Sequence, residues 1–180
     1  MQAVPLARGS LGPRAIVPDA SNTIWIRTAA ERDVARLADY FAGLSHSARH
    51  NRFMGAVGNL TRIARDCLVP ARKADCFTLV AEWREQGREA VIGEASYGFD
   101  RLSGSGEFAI SVADRFQRRG LGSALLCALQ SRAVSLGCLD LFGETLKTND
   151  EMKSLARKAG FEMTRSLDWR AVRFDKRLPG

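Results

Sequence analysis

The sequence predicts a single α+β domain: a mixed, mostly antiparallel sheet of about seven strands with helices on both faces. Three observations predict it. Runs of period 2 and period 3.6 follow one another in the order β-α-α-β-β-β-α-β-α-β-β. Strand–helix–strand units in the second half call for locally parallel pairing, while a hairpin in the middle calls for antiparallel pairing. A length of 180 residues suits one core and leaves little for a second.

The elements are justified in order. Residues 1–22, "MQAVPLARGSLGPRAIVPDASN", are broken by Pro and Gly and read as a flexible lead-in, so the domain spans 23–180. Order begins near Ile24 in the strand "TIWIRTA", and "AERDVARLADYFAGL" carries Val34, Leu37, Ala38 and Phe41 at helical spacing. "SHSARHNRFM" reads as a second helix capped by Ser45 or Ser47, and a third helical stretch runs to about Cys67 before Pro70. "CFTLVAEWRE" and "REAVIGEASYGFD" form a hairpin around Gln86-Gly87. "LSGSG" is a loop, "EFAISVAD" a third strand, and Gly120 to Leu136 an amphipathic helix with Leu121, Ala124, Leu125, Ala128 and Leu129 on one stripe. "CLDLFGET" returns as a strand. "NDEMKSLARKAG" is a helix between an Asn149 cap and a Gly160 stop, and "FEMTRSL" and "WRAVRFDKRL" are the last strands.

Composition narrows the function classes. The chain has no run of 18 apolar residues, so no membrane span is expected, and no apolar core of signal-peptide length stands near its start. Cys67, Cys76, Cys127 and Cys138 lie far apart with no C-x-x-C pair, which speaks against zinc and for reduced thiols in a cytoplasmic protein. A net charge of +7 fits either a basic face or an anionic ligand. Nucleic acid is not expected, because no stretch interleaves Lys/Arg with aromatics. His46 and His50 are four apart on a helix but lack a third ligand, so they read as a solvated face and no metal is expected.

The most informative segment is "EFAISVADRFQRRGLGSALLCAL". A strand ends near Ala113, the loop Gln117-Arg118-Arg119-Gly120-Leu121-Gly122 follows, and a long helix starts at once. That order leaves the helix's first N–H groups unpaired behind two glycines, a site for an anion approaching the backbone. A glycine-softened turn that binds nothing is the competing reading. A dinucleotide fingerprint wants Gly or Ala where Leu125 stands, and a nucleoside-triphosphate loop wants a Gly-Lys-Ser/Thr that is missing. The pyrophosphate of coenzyme A remains.

With these residues in view, the sequence resembles the GNAT superfamily of acyl-CoA N-acyltransferases. "QRRGLG" matches that family's pyrophosphate loop, and "NDEMKSLARKAGF" matches its Asn-led helix ending in Gly160-Phe161. The resemblance covers most of Ile24 to Leu178. "GEFAISVADRFQRRGLG", Met152 and "LSHSARHNRF", with its Arg52 and Phe53, look most like the catalytic domains of bacterial protein-lysine acetyltransferases. The resemblance implies acetyl-CoA as co-substrate, held by Gln117, Arg118, Arg119, Gly120, Leu121, Gly122 and Ser123. It also implies an oxyanion donor from the backbone of Ser111, Val112 or Ala113, and Asn149 reaching the pantetheine amides.

Alternation places Glu107, Ala109 and Ser111 on one strand face, opposite Phe108, Ile110 and Val112. Glu107 is the candidate general base, and the resembling enzymes use the matching glutamate so; a surface glutamate at a strand start is the other reading. Many superfamily members carry a Tyr acid seven positions after the helix's Asn, where this chain has Ala156. Solvent would then supply the proton. The function expected is acetyl transfer from acetyl-CoA to a primary amine, protein lysine or small molecule, by direct attack in a ternary complex. A CoA-binding sensor without catalysis is the alternative, motivated by Ala156. A homodimer is compatible with such a domain, and the sequence does not fix the oligomeric state.

Overall fold

A computed structural model describes residues 15–19, 22–68, 76–85, 88–100 and 104–179. The turn at Gln86-Gly87, Pro70 and the first part of the 101–106 loop lie outside the described residues. Among the described residues eight strands form one sheet: β1 (Ala15–Asp19), β2 (Asn22–Thr28), β3 (Cys76–Glu85), β4 (Arg88–Asp100), β5 (Ser105–Val112), β6 (Asp140–Leu146), β7 (Glu162–Arg165) and β8 (Ala171–Arg177). Their order is β1-β2-β3-β4-β5-β6-β8-β7. Only β5 and β6 run parallel, because a helical crossover joins them while the other neighbours are antiparallel.

The sheet starts earlier than the sequence suggests. β1 falls inside the stretch read as a lead-in and pairs with β2 from Ala15↔Ile26 to Asp19↔Asn22. Pro18 hides the strand from a pattern reading, yet an edge strand tolerates a residue with no N–H to give.

The helices divide between the faces by their apolar stripes. α1 (Val34–Gly43), α2 (His46–Phe53) and α3 (Leu60–Leu68) cover one face, where Leu37, Phe41 and Ala64 pack on Val80 and Val91. α4 (Leu121–Ser135) and α5 (Asp150–Lys158) cover the other, with Leu121, Leu125, Leu126 and Leu129 buried against Ile92, Ala95 and Phe108. Ser45 caps α2 by accepting from Ala48 N at 3.1 Å, and Asn149 caps α5 by accepting from Met152 N at 3.1 Å.

One buried ion network ties α1 to the sheet. Arg27 on β2 grips Asp33, which is 1% exposed, at 2.7 and 2.8 Å, and reaches Glu82 on β3 at 2.6 and 2.8 Å. Arg36 closes the ring on Glu82 at 2.5 Å. Burial pushes the Asp33 carboxyl up, but the hydrogen bonds from Arg27 and from Ala30 N–H outweigh it and hold the group at about 2. A folded value below the unfolded one means this stabilisation is present at neutral pH and is lost as pH falls from about 4 to 2. Asp33→Ala, which removes two charge-assisted hydrogen bonds and leaves Arg27 paired with Glu82 alone, is expected to cost about 2 kcal/mol and lower Tm by about 4–8 °C at pH 7. Acid titration followed by circular dichroism should also show a shallower loss of stability below pH 4 in the variant. An unchanged melting point would show that the network does not hold α1.

Candidate active site

The site begins where the sheet opens. β5 and β6 pair over four rungs only, from Ser105↔Asp140 to Phe108↔Gly143. Gly143 permits the last rung, since a Cβ there would stand 2.6 Å from the Phe174 ring and 3.0 Å from that of Phe108. Beyond it β5 stays on β4 and β6 stays on β8, so the two strands fork. Ala109–Val112 and Glu144–Thr145 form the walls of a cleft of about 710 Å³, completed by α2, the start of α4 and α5.

The inner edge of β5 presents its backbone to this cleft. Ala113 N donates to Ile92 O at 2.9 Å, which turns Ala113 toward β4. Amides alternate sides along a strand, so those of Val112 and Ile110 face the opposite way, into the fork. The Val112 carbonyl accepts Gln117 Nε2 at 3.0 Å, in keeping with that orientation. Of the three backbone donors considered, the Val112 amide therefore faces the fork, while that of Ala113 is already used by Ile92 O.

The loop after β5 makes the other end of the cleft. Arg118 (φ 59°) and Gly120 (φ 84°) both adopt left-handed conformations, which fold the chain tightly into the N-terminus of α4. At Gly122 a Cβ would stand 3.3 Å from Leu155 of α5, so a side chain there would narrow the passage. Gln117, Arg118, Gly120, Gly122, Ser123 and Asn149 all line the cleft with Ser111 and Val112. Ala113, Arg119 and Leu121 do not. Arg119 lies 5.9 Å from the Phe116 ring centroid and Leu121 is buried in the core. Lys158, which the sequence did not single out, adds a second cation to Arg118 at the rim.

The carboxylates are arranged less simply than the sequence implied. In the parallel ladder Glu107 stands opposite Phe142, so Glu107, Ala109, Ser111, Phe142 and Glu144 share the α2 face. Glu107 sits at the rung before the fork, exposed, and is not among the residues that line the cleft. Glu144 is half-buried and lines it, one residue past the last rung. Neither makes an ion pair among the described residues. Glu144 carried a signal only in retrospect, as the residue alternating with Phe142 in "LFGET".

A second carboxylate missed from the sequence is Glu94 of β4, fully buried. It accepts Arg52 Nε at 2.6 Å and Ser111 Oγ at 2.7 Å, while Arg52 Nη2 reaches Ser96 Oγ at 2.8 Å. Arg52 thus packs beside Phe41 and Phe53 and also lines the cleft. Burial and the Glu94 charge push the nearby Cys67 thiol up to about 11, which makes it a poor nucleophile. The expected place for a Tyr acid, Ala156, is fully buried in the core. The cleft wall of α5 is made instead by Ser154 and Leu155 among others. The rings of His46 and His50 stack at 6.2 Å, and no group of three metal-ligating side chains forms among the described residues.

Known proteins share this fold. The profile of the acetyltransferase (GNAT) family matches residues 45–161. An acetyltransferase of Pseudomonas aeruginosa is 27% identical over 150 residues, covering 83% of this chain and 81% of that protein. The GNAT domain of S. lividans PAT superposes with a TM-score of 0.79 at 23% identity, over 92% of this chain and 97% of that one. YncA of Salmonella typhimurium, whose structure holds its cofactor acetyl-CoA, gives a TM-score of 0.68 at 21% identity, over 87% and 95%.

The loop geometry yields a test. Gly120→Val forces a left-handed β-branched residue and Gly122→Val crowds Leu155, so each should weaken coenzyme A binding at least tenfold, about 1.4 kcal/mol. Calorimetry with both variants checks this, and unchanged affinity in both would remove the site from this loop.

Proposed function

The chain belongs to the acetyltransferase (GNAT) family, and from that premise we propose that it transfers acetyl from acetyl-CoA to a primary amine by direct attack in a ternary complex. The fork carries this reading: one cleft joins a backbone-built anion loop to a face bearing carboxylates without ion-pair partners among the described residues. Acetyl-CoA, the donor substrate, supplies an acyl thioester. Arg118, Gly120, Gly122 and Ser123 would hold its pyrophosphate, with Val112 and Ile110 meeting its amides and carbonyl along the β5 edge.

The acceptor must lose a proton before it attacks. An amine of pKa near 10.4 is neutral in only about one molecule in 2,500 at pH 7. We assign its proton to Glu144, because that carboxylate lines the cleft; Glu107, on the same face outside the lining, is the alternative. Attack breaks the C–S bond and releases the coenzyme A thiolate, which solvent can protonate in place of the tyrosine absent at Ala156. The high Cys67 value and its absence from the lining support direct transfer over a cysteine relay. The acceptor class is a protein lysine or a small-molecule amine, in the cytoplasm.

Thiol release from acetyl-CoA with a panel of peptides and polyamines tests the reading. Turnover with at least one amine is expected, whereas tight coenzyme A binding with no turnover would favour a sensor. Glu144→Gln should lower kcat by about 10² to 10⁴-fold with little change in acetyl-CoA affinity. If Glu107→Gln gives that loss and Glu144→Gln does not, the base is Glu107.

A further inference from the structure

We propose that Ser111 is a specificity-determining contact for the acceptor, its hydroxyl held by Tyr40 and Glu94 so that it offers the cleft a lone pair and no proton. The inference rests on the acetyl-transfer reading above and names the group that selects the acceptor's N–H.

A count of protons carries it. Ser111 Oγ lies 2.7 Å from Glu94 Oε1 and 3.0 Å from Tyr40 OH. Glu94 is 0% exposed, and Arg52 donates to both its oxygens, through Nε at 2.6 Å and Nη2 at 3.3 Å. Arginine has no proton to lose and no lone pair to offer, so the carboxylate acts as acceptor toward every neighbour. The single Ser111 proton therefore points at Glu94. Tyr40, on α1, must then donate to Ser111; burial and the Glu94 charge push its phenol up, which keeps that proton in place. A hydroxyl has one donor and two acceptor sites, and these contacts use the donor and one acceptor.

One lone pair remains. Ser111 and Arg52 both line the cleft, so the chain Tyr40–Ser111–Glu94–Arg52 ends on its wall. Such a wall hydrogen-bonds an ammonium or amine N–H and refuses an alcohol or thiol oriented as an acceptor. Ser111 lies on the face shared with Glu144 and Glu107, which favours the same positive group. Glu94, Tyr40 and Arg52 are positioning residues in this scheme, because each acts through Ser111.

Steady-state kinetics with an amine that the wild type acetylates test the proposal. Ser111→Ala should raise the amine KM about tenfold, and Ser111→Thr, which restores a hydroxyl, should return it to within about threefold. Acetyl-CoA affinity by calorimetry should stay within about twofold in both. Glu94→Met, which keeps the volume and removes the oxygen that accepts from both Ser111 and Arg52, should also raise the amine KM by freeing the Ser111 proton to turn to the cleft, and it should add nothing in the Ser111→Ala background. An unchanged amine KM in Ser111→Ala overturns the proposal, as does an equal loss of acetyl-CoA affinity. A Glu94→Met effect confined to melting temperature and kcat would show only a structural ion pair and would overturn the positioning role. If the wild type acetylates no amine, the acetyl-transfer reading itself falls, and this inference falls with it.

Discussion

Two strands that part company inside a sheet create a problem that the rest of this fold answers. After Phe108↔Gly143 the inner edges of β5 and β6 lose each other as partners. Their amides and carbonyls then need hydrogen bonds from something else, since buried backbone groups do not go unpaired cheaply. Each strand is held on its outer side, β5 by β4 and β6 by β8, so neither can relax to close the gap. The opening is fixed by two good ladders. A ligand with its own amides, or water, has to complete them.

The two ends of that opening are built from different materials. At the α4 end the elements are backbone: left-handed turns at Arg118 and Gly120, a glycine at 122, and the open first turn of a helix. At the α2 end they are side chains, Glu144 in the wall and the buried chain from Tyr40 to Arg52 behind it. Backbone recognition suits a donor substrate whose phosphate geometry never changes. Side-chain recognition can change with a single substitution and leaves the fold intact, which suits the partner that gives an acetyltransferase its specificity.

The sequence announced the first end and was nearly silent about the second, for a physical reason. Gln117 to Ser123, Asn149 and α4 are local: spacing, glycine placement and a helix start sit within a few residues of each other. Glu144 matters only because the β5–β6 ladder stops one residue before it, and that depends on where Phe174 and Phe108 press on Gly143. Glu94 matters only because a helix 42 residues earlier in the chain puts Arg52 against it. Period-2 alternation assigns a strand residue to a face but does not name its neighbour across the sheet. The same limit explains Ala156, whose place in the core cannot be read from its distance to Asn149. β1 escaped for a different cause, a proline inside an edge strand.

Burying an ion pair carries a desolvation cost that apolar residues of equal volume would avoid. Among the described residues two such clusters lie on the α1–α3 face, and they differ in what surrounds them. The Arg27–Asp33–Glu82–Arg36 ring joins α1 to the outer strands, away from the residues that line the cleft, and its geometry accounts for itself as attachment. The Arg52–Glu94 pair sits where Phe41, Phe53 and Val80 already pack α1 and α2 on the sheet, and its further hydrogen bonds go to Ser96 and Ser111. What it adds is direction, since a carboxylate fixed from behind by a guanidinium sets the proton on Ser111 and leaves a lone pair facing the cleft. Apolar packing could hold α2 in place, but it could not choose which way a hydroxyl points.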